Sequence, residues 1–404
     1  MRGSHLVFIA LGTVVGGIGC SSLPVCQKDL LIEKVSDYRL SSARVQLSQG
    51  AVKGEIEYLT YFLERGYGGR GFVPEADFQG MLRDLRKIDG PKASDELCRE
   101  IDEVLYESIQ DNHLKATFSA EPCYYKRARD LREGTVGPNL SRKREGIWHV
   151  EMRSLRHRKI ALISLTGFPQ EEDIAWDGFL DAVHATLHEA AGAIIDLRGN
   201  AGGADGMGTR LAALFYGTDR FPLPSGRSVY LQSPEALAMV HNYFRIVSWE
   251  RGAVGKPVPG GFDLRMREYR EKFQAALGGK LPVRETEEIK PPEHWKFDPS
   301  KGFDKPIYLL IDSRTESAAE MTVDAFESHP RAKRIGQNTP GTLQFGNAGL
   351  IVLPRSRIQV RIPTEFTEYR DGRLIERTGI APDRHVPEGT DAFQVAWDMM
   401  GSVP

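Results

Sequence analysis

The chain is poor in cysteine, in net charge and in long apolar runs. It has only four cysteines in 404 residues, and none stands at a metal-ligand spacing, so no metal site and no cofactor are expected. The 53 Lys+Arg residues nearly balance the 55 Asp+Glu residues. This balance excludes the basic surface typical of nucleic-acid-binding proteins. Beyond the N-terminus, no segment is long and apolar enough to cross a membrane.

The N-terminal segment has the composition of an export signal. Arg2 precedes an apolar run from Leu6 to Gly19, and small residues follow it. This order predicts a signal peptide over residues 1–20, and Cys20 resembles the lipidated first residue of bacterial lipoproteins. We expect an exported protein, either in the periplasm or as an outer-membrane lipoprotein. A lipid on Cys20 would be its membrane contact.

The rest of the chain divides by pattern into three parts. Apolar residues at three- and four-residue intervals predict a helical N-terminal domain over residues 29–119. A catalytic domain is expected over residues 150–390, with a Pro- and Gly-rich insertion at about 218–304. Within the insertion, Phe262 to Leu277 has a helical pattern. Cys98 and Cys123 are candidates for a disulfide, which the sequence cannot establish.

An α/β pattern begins after a polar, irregular stretch at residues 120–158. Ile160 to Leu165 is strand-like, Ile174 to Ala190 is an amphipathic helix, and Ala193 to Leu197 is a buried strand. This order predicts a parallel sheet with crossover helices. The pattern resumes with the apolar strand from Ile307 to Ile311.

Each of the two buried strands ends in a turn suited to a catalytic site. Ser317 stands where a polar turn enters a helix, and a helix N-terminus stabilises negative charge. Ser317 is therefore either a nucleophile or an ordinary N-cap residue. The other turn ends in Gly202 and Gly203, whose backbone can approach a substrate closely. It also fits an ordinary strand-to-helix turn.

Five motifs in this chain, in this order, resemble those of the S41 peptidases, the family of the C-terminal processing peptidases and the tricorn protease. They are Asp111-Asn112-His113-Leu114, Asp196-Leu197-Arg198-Gly199-Asn200-Ala201-Gly202-Gly203, Ser317-Ala318-Ala319-Glu320, Gly336-Gln337-Asn338-Thr339-Pro340-Gly341 and Gly379-Ile380-Ala381-Pro382-Asp383. The resemblance covers roughly residues 95–390. It implies a crotonase-like or ClpP-like βαβ spiral core.

The resemblance also implies roles for individual residues. Ser317 would be the nucleophile, and the amides of Gly203 and Ala318 would form the oxyanion hole. Substrate would lie against Gly202, Thr339 and Gly341.

The expected base departs from the processing-peptidase pattern. Thr342 stands where that branch has its catalytic lysine. The tricorn-like branch instead uses a histidine and a glutamate, which implies His113 as the base and Glu376 as its carboxylate. A loop histidine and a solvated hairpin glutamate are the alternatives. His184 and His188 are four residues apart on a helix, but without a metallopeptidase pattern we expect them to flank its apolar face.

These observations predict an exported serine endopeptidase that hydrolyses a peptide or an unfolded protein tail. One alternative is a catalytically silent peptide- or ligand-binding protein on the same fold, since the lysine is missing. A second is an acyl-CoA enzyme of the related crotonase architecture, which the export signal disfavours.

Overall fold

The computed structural model describes residues 30–34, 44–118, 121–124, 126, 137–140, 146–169, 173–216, 226–255, 258, 261–289 and 302–402. Its helices are α1 (Gln49–Gly66), α2 (Glu75–Lys87), α3 (Ser94–Ser108), α4 (Ala175–Glu189), α5 (Asp205–Ala213), α6 (Pro234–Ala253), α7 (Phe262–Leu277), α8 (Ala318–Ala325) and α9 (Ala392–Gly401). Its strands are β1 (Gln46–Leu47), β2 (Lys92–Ala93), β3 (Lys115–Phe118), β4 (Glu121–Pro122), β5 (Trp148–Leu155), β6 (Arg158–Leu165), β7 (Gly192–Asp196), β8 (Gly226–Leu231), β9 (Arg284–Glu288), β10 (Ile307–Ile311), β11 (Ala332–Gly336), β12 (Phe345–Val352), β13 (Gln359–Tyr369) and β14 (Arg384–His385). The predicted signal peptide and Cys20 lie outside the described residues.

The first six-stranded sheet carries the α/β pattern. Its order is β14-β11-β10-β7-β6-β5, and every pair is parallel except the β5–β6 hairpin. Side chains alternate along β6, so Ala161 and Ile163 join a core with α4, α5 and α8, while Ile160 and Leu162 face α9. The predicted α/β class and parallel crossover arrangement are confirmed.

The second six-stranded sheet has the order β4-β3-β13-β8-β9, with β12 paired to β13. Its core contains apolar residues of α1, α2, α3 and α6 together with those of β12 and β13. The N-terminal helices thus share a hydrophobic core with residues from 237 to 366. The domain boundaries given above stay a prediction.

Several predicted elements match the structure closely, and others were missed. The strand Ile307–Ile311 and the helix Phe262–Leu277 have the predicted bounds. Residues 148–155, expected to be irregular, form β5, whose polar side chains suit the edge of a sheet. Helix α6 was not predicted because it is buried on most sides and has no single apolar stripe.

The candidate disulfide is confirmed. Cys98 of α3 is bonded to Cys123 beyond β4, with 5.6 Å between their Cα atoms. The bond joins the helical segment to the β3–β4 hairpin. No helix among the described residues is long and apolar enough to cross a membrane.

Candidate active site

The two turns singled out above lie side by side. Strands β7 and β10 are parallel neighbours, so the segments that follow them leave the same edge of the sheet. The amide of Gly199 donates to Asp312 Oδ1 at 2.9 Å, and the amide of Glu316 donates to the carbonyl of Asn200 at 2.9 Å. These bonds hold the glycine turn against the turn that carries Ser317.

Ser317 has the backbone conformation of a strained strand-to-helix turn. Its φ of 56° and ψ of −123° differ from the extended values usual for an N-cap residue. Such strain is typical of functional sites and persists only where the surroundings enforce it. Here its amide donates to Glu320 Oε2 at 3.2 Å, which fixes Ser317 on the first turn of α8.

Gly202 lies directly against this serine, and Gly203 lies against Phe168. A Cβ atom on Gly202 would be 2.8 Å from Ser317 Cβ, and one on Gly203 would be 2.3 Å from the Phe168 carbonyl oxygen. Both residues have positive φ, 86° and 148°. Among the described residues, no protein acceptor takes a hydrogen bond from the amide of Gly203 or of Ala318. Both donors therefore remain available for a substrate oxygen, as an oxyanion hole requires.

His113 lines the same cavity as Ser317, but no hydrogen bond joins the two side chains. Its Nδ1 atom is buried without a partner. Burial, and then the positive charges of Lys115 and Arg361, lower the pKa of His113 to about 3. The ring is therefore neutral at physiological pH, which is the form a general base needs, although neither of these charges favours its protonated form.

The Glu376 carboxylate supports the backbone around His113 and makes no contact with the ring. Oε1 accepts from the Asn112 amide at 2.8 Å, and Oε2 accepts from the amides of Leu343 and Gln344 at 3.2 and 3.1 Å. Burial raises the pKa of Glu376 well above its usual range, and the charge of Asp111 adds to this rise.

Two further side chains complete this support, and neither was assigned a role from sequence. Asp111 Oδ1 accepts from the amides of His113 and Leu114 at 2.8 and 3.0 Å. Asn112 Nδ2 donates to the carbonyls of Pro340 and Gly341 at 3.2 and 3.0 Å. The turn that carries His113 is thus tied to the loop that begins at Pro340.

Glu320 ties that loop to the nucleophile as well. Its buried carboxylate accepts from the hydroxyl of Thr339 at 2.6 Å, and from the amides of Gly341 at 2.9 Å and Thr342 at 2.6 Å. Burial raises the pKa of Glu320 to about 7, and these donors oppose the rise. Thr342, which stands where a lysine was missing, is thus part of the loop that connects Ser317 with the turn carrying His113.

The residues predicted to bind substrate have different surroundings. Gly202 contacts Ser317, whereas Thr339 and Gly341 contact other parts of this chain and do not line the cavity that Ser317 lines. His184 and His188 are exposed on α4 with ring centroids 4.7 Å apart. No group of three or more His, Cys, Asp or Glu side chains in the described part of the chain is placed to hold a metal ion.

The cavity that Ser317, His113 and Gly203 share has a volume of about 530 Å³. This is the size of a typical small-ligand site and admits a short stretch of peptide. Its walls come from the second sheet, from the turns after β7 and β10, and from α6 and α7, so the region expected to be an insertion forms much of it.

The model of peptidase family S41 matches residues 159–386, more than half of the chain. The chain belongs to peptidase family S41. It is thus a peptidase of the serine type, and the predicted family is confirmed. The tricorn-like branch remains a prediction.

Solved structures resemble this S41 peptidase over most of its length. Mature CPAF is 13% identical with a TM-score of 0.53, over 87% of this chain and 96% of that chain. Mature CPAF complexed with lactacystin is 13% identical with a TM-score of 0.52, over 87% and 97%. A lipoprotein from Streptococcus agalactiae is 17% identical with a TM-score of 0.43, over 87% and 96%. No curated protein matches in sequence. The likeness to CPAF concerns the fold alone.

Proposed function

We propose that this S41 peptidase is an exported serine endopeptidase with Ser317 as nucleophile and His113 as general base. The observation that carries the proposal is one cavity lined by a strained serine, a histidine and the glycine turn. Its substrate is a peptide or an unfolded protein tail. The Cys98–Cys123 disulfide supports export, because such bonds persist in oxidising compartments. A lipid anchor on Cys20 belongs to the same proposal.

The reaction follows from this arrangement. Ser317 Oγ attacks the peptide carbonyl carbon while its proton passes to His113, and the amides of Gly203 and Ala318 bind the resulting oxyanion. The peptide C–N bond then breaks as His113 gives its proton to the leaving amine. Water, deprotonated by His113, hydrolyses the acyl-enzyme and regenerates Ser317.

Because no hydrogen bond joins His113 to Ser317 in the substrate-free chain, this proposal requires the two to approach when substrate binds. Glu376 has a positioning role in it. It holds the Asn112 amide and the loop at Leu343, and so places the histidine without touching its ring.

A catalytically silent peptide-binding protein is the second candidate. It is favoured by one observation: the low pKa of His113, whose ring lies near two cations and contacts no carboxylate. Such a ring is a weak base and a poorly stabilised imidazolium.

The deciding experiment is labelling by a serine-directed fluorophosphonate, with cleavage of an unfolded protein measured in parallel. We expect labelling of the wild type, none of Ser317→Ala and at least a hundredfold slower labelling of His113→Ala, as for removal of a general base. His184→Ala is the control, since that histidine is exposed on α4. A folded wild type that neither reacts nor cleaves would establish the silent binder.

A further inference from the structure

Three carboxylates lie on one face of the second sheet, in the wall of the cavity that contains Ser317. Glu365 of β13 is paired across the sheet with Tyr230 of β8, and Tyr230 is paired with Glu285 of β9. Glu287 is two residues beyond Glu285, so its side chain is on the same face. All four residues line the cavity. We call Glu285, Glu287 and Glu365 the acidic wall.

In the part of the chain that the structure describes, the acidic wall has no cation of its own. Glu285 accepts a hydrogen bond from Gln232, but among the described residues no Lys, Arg or His forms an ion pair with any of the three carboxylates. Two cationic residues that line the cavity form ion pairs with a glutamate outside the acidic wall. Arg265 and Lys272 pair with Glu268 at 3.1 and 2.9 Å.

The third cation of the cavity, Arg361, lies over the ring of Tyr243, 5.8 Å from its centroid. It is four residues from Glu365 along β13, which separates the two positions by roughly 13 Å. Arg361, whose charge acts on His113, is thus well separated from Glu365 along the cavity wall. Asp205, two residues after the oxyanion glycine Gly203, also lines the cavity.

Glu365 is the centre of the acidic wall. Only 7% of its surface is exposed. Burial, and then the charges of Asp205 and Glu287, raise its pKa to about 7. Hydrogen bonds from Ser228 and Tyr230 oppose this rise, and a cation beside Glu365 would further favour its charged form.

We infer that the acidic wall is a specificity subsite for a lysine or arginine side chain of the peptide substrate. The inference rests on the proposed function, because it assumes that peptides occupy the cavity of Ser317. An extended peptide would place its scissile carbonyl at Gly203 and a cationic side chain against Glu365. A metal ion fits this position less well, since the described residues contain no metal-binding group of three or more ligands.

The test is a binding measurement on Ser317→Ala, which needs no catalysis. Two fluorescent peptides that differ only in a central lysine or methionine are titrated and followed by anisotropy. We expect at least tenfold tighter binding of the lysine peptide, and a preference that weakens with added salt. Adding Glu365→Gln should reduce the preference to less than threefold, mainly by weakening the lysine peptide.

Matched controls separate this role from folding. Glu288→Gln changes the next residue of β9 on its opposite face, where Glu288 pairs with Arg370, and should leave the preference unchanged. Glu287→Gln alters an exposed member of the acidic wall, and should reduce the preference even if Glu365→Gln fails to fold.

Two outcomes would overturn the inference. One is equal affinity for the two peptides, and the other is a lysine preference that neither acidic-wall variant reduces. Failure of fluorophosphonate to label the wild type would instead count against the proposed peptidase mechanism. The binding preference would remain measurable in that case, so the two failures are distinguishable.

Discussion

Gly203→Ala should remove the proposed oxyanion site through one added methyl group. The new Cβ would lie 2.3 Å from the Phe168 carbonyl oxygen, whereas ordinary contact begins near 3.4 Å. The two atoms must therefore separate by about 1 Å. The Phe168 amide is held by the Gly202 carbonyl at 2.9 Å, so the strain falls on the oxyanion turn itself.

The magnitude has two parts. Overpacking by one methyl group costs about 1–3 kcal/mol. A side chain at φ 148° costs a further ~1–3 kcal/mol, because that backbone region is essentially restricted to glycine. We expect a loss of about 2–6 kcal/mol in the free energy of unfolding. Displacing one oxyanion donor should slow acylation by about 10²–10³-fold.

The assay measures two quantities, which are the free energy of unfolding in urea and the rate at which fluorophosphonate labels the folded protein. The matched control is Gly178→Ala in α4, where no atom lies within 4 Å of the added Cβ. This control should stabilise the helix by about 0.5–1 kcal/mol and leave the labelling rate unchanged. If Gly203→Ala has the same free energy of unfolding and the same labelling rate as the wild type, the proposal that this turn forms an oxyanion hole is wrong.

Three further predictions concern the supports of the site. Glu320→Ala should lose about 4 kcal/mol of unfolding free energy and most labelling, since it leaves three buried donors and the half-buried Ser317 amide unpaired. The pKa of His113 is lowered from 6.5 to about 3 in the folded chain, so its contribution to stability is present above pH 6.5 and is lost as the pH falls. We expect the free energy of unfolding to fall by about 2 kcal/mol between pH 6.5 and 5. His113→Gln should lack this loss. Replacing Cys98 and Cys123 together by serine should cost about 3 kcal/mol in urea unfolding, because their bond closes a loop with a sequence separation of 25.

Each of these has a result that would contradict it. Labelling of Glu320→Ala at the wild-type rate would show that the loop after Thr339 does not position Ser317. Equal pH dependence of stability in wild type and His113→Gln would mean that His113 is protonated as readily when folded as when unfolded. A reductant should destabilise the wild type and leave the double serine variant unaffected, and any other pattern would argue against the disulfide.

Local patterns were sufficient for strands β6, β7 and β10 and for the turns that follow β7 and β10. The buried strand Ile307–Ile311 is continuously apolar, and the chain changes within a few residues to polar turn residues and then to a helix. A stretch of about ten residues therefore contains the whole pattern that predicts the strand, the turn and the start of the helix. Helix α6 was missed because its burial depends on distant parts of the chain. Strand β9 was missed because its side chains are mostly exposed and polar, so only its pairing with β8 defines it.

The supports of the site could not be predicted for the same reason. Glu320 and Thr342 are joined across 22 residues, and Asn112 and Glu376 across 264. No local period or spacing encodes such pairs, since they exist only after both sheets have formed. The acidic wall is also of this kind, because Glu285 and Glu365 come together only through strand pairing with β8.

By itself the sequence determined that a serine stands at a helix N-terminus after a buried strand and a polar turn, and that a glycine turn follows another buried strand. It also determined that no lysine follows Gly341. Tertiary structure alone decided how Ser317 and His113 are held: Glu320, Asn112 and Glu376 bind the loop between them. The reason is physical, because hydrogen bonds to buried carboxylates depend on distance in space, whereas a sequence records only distance along the chain.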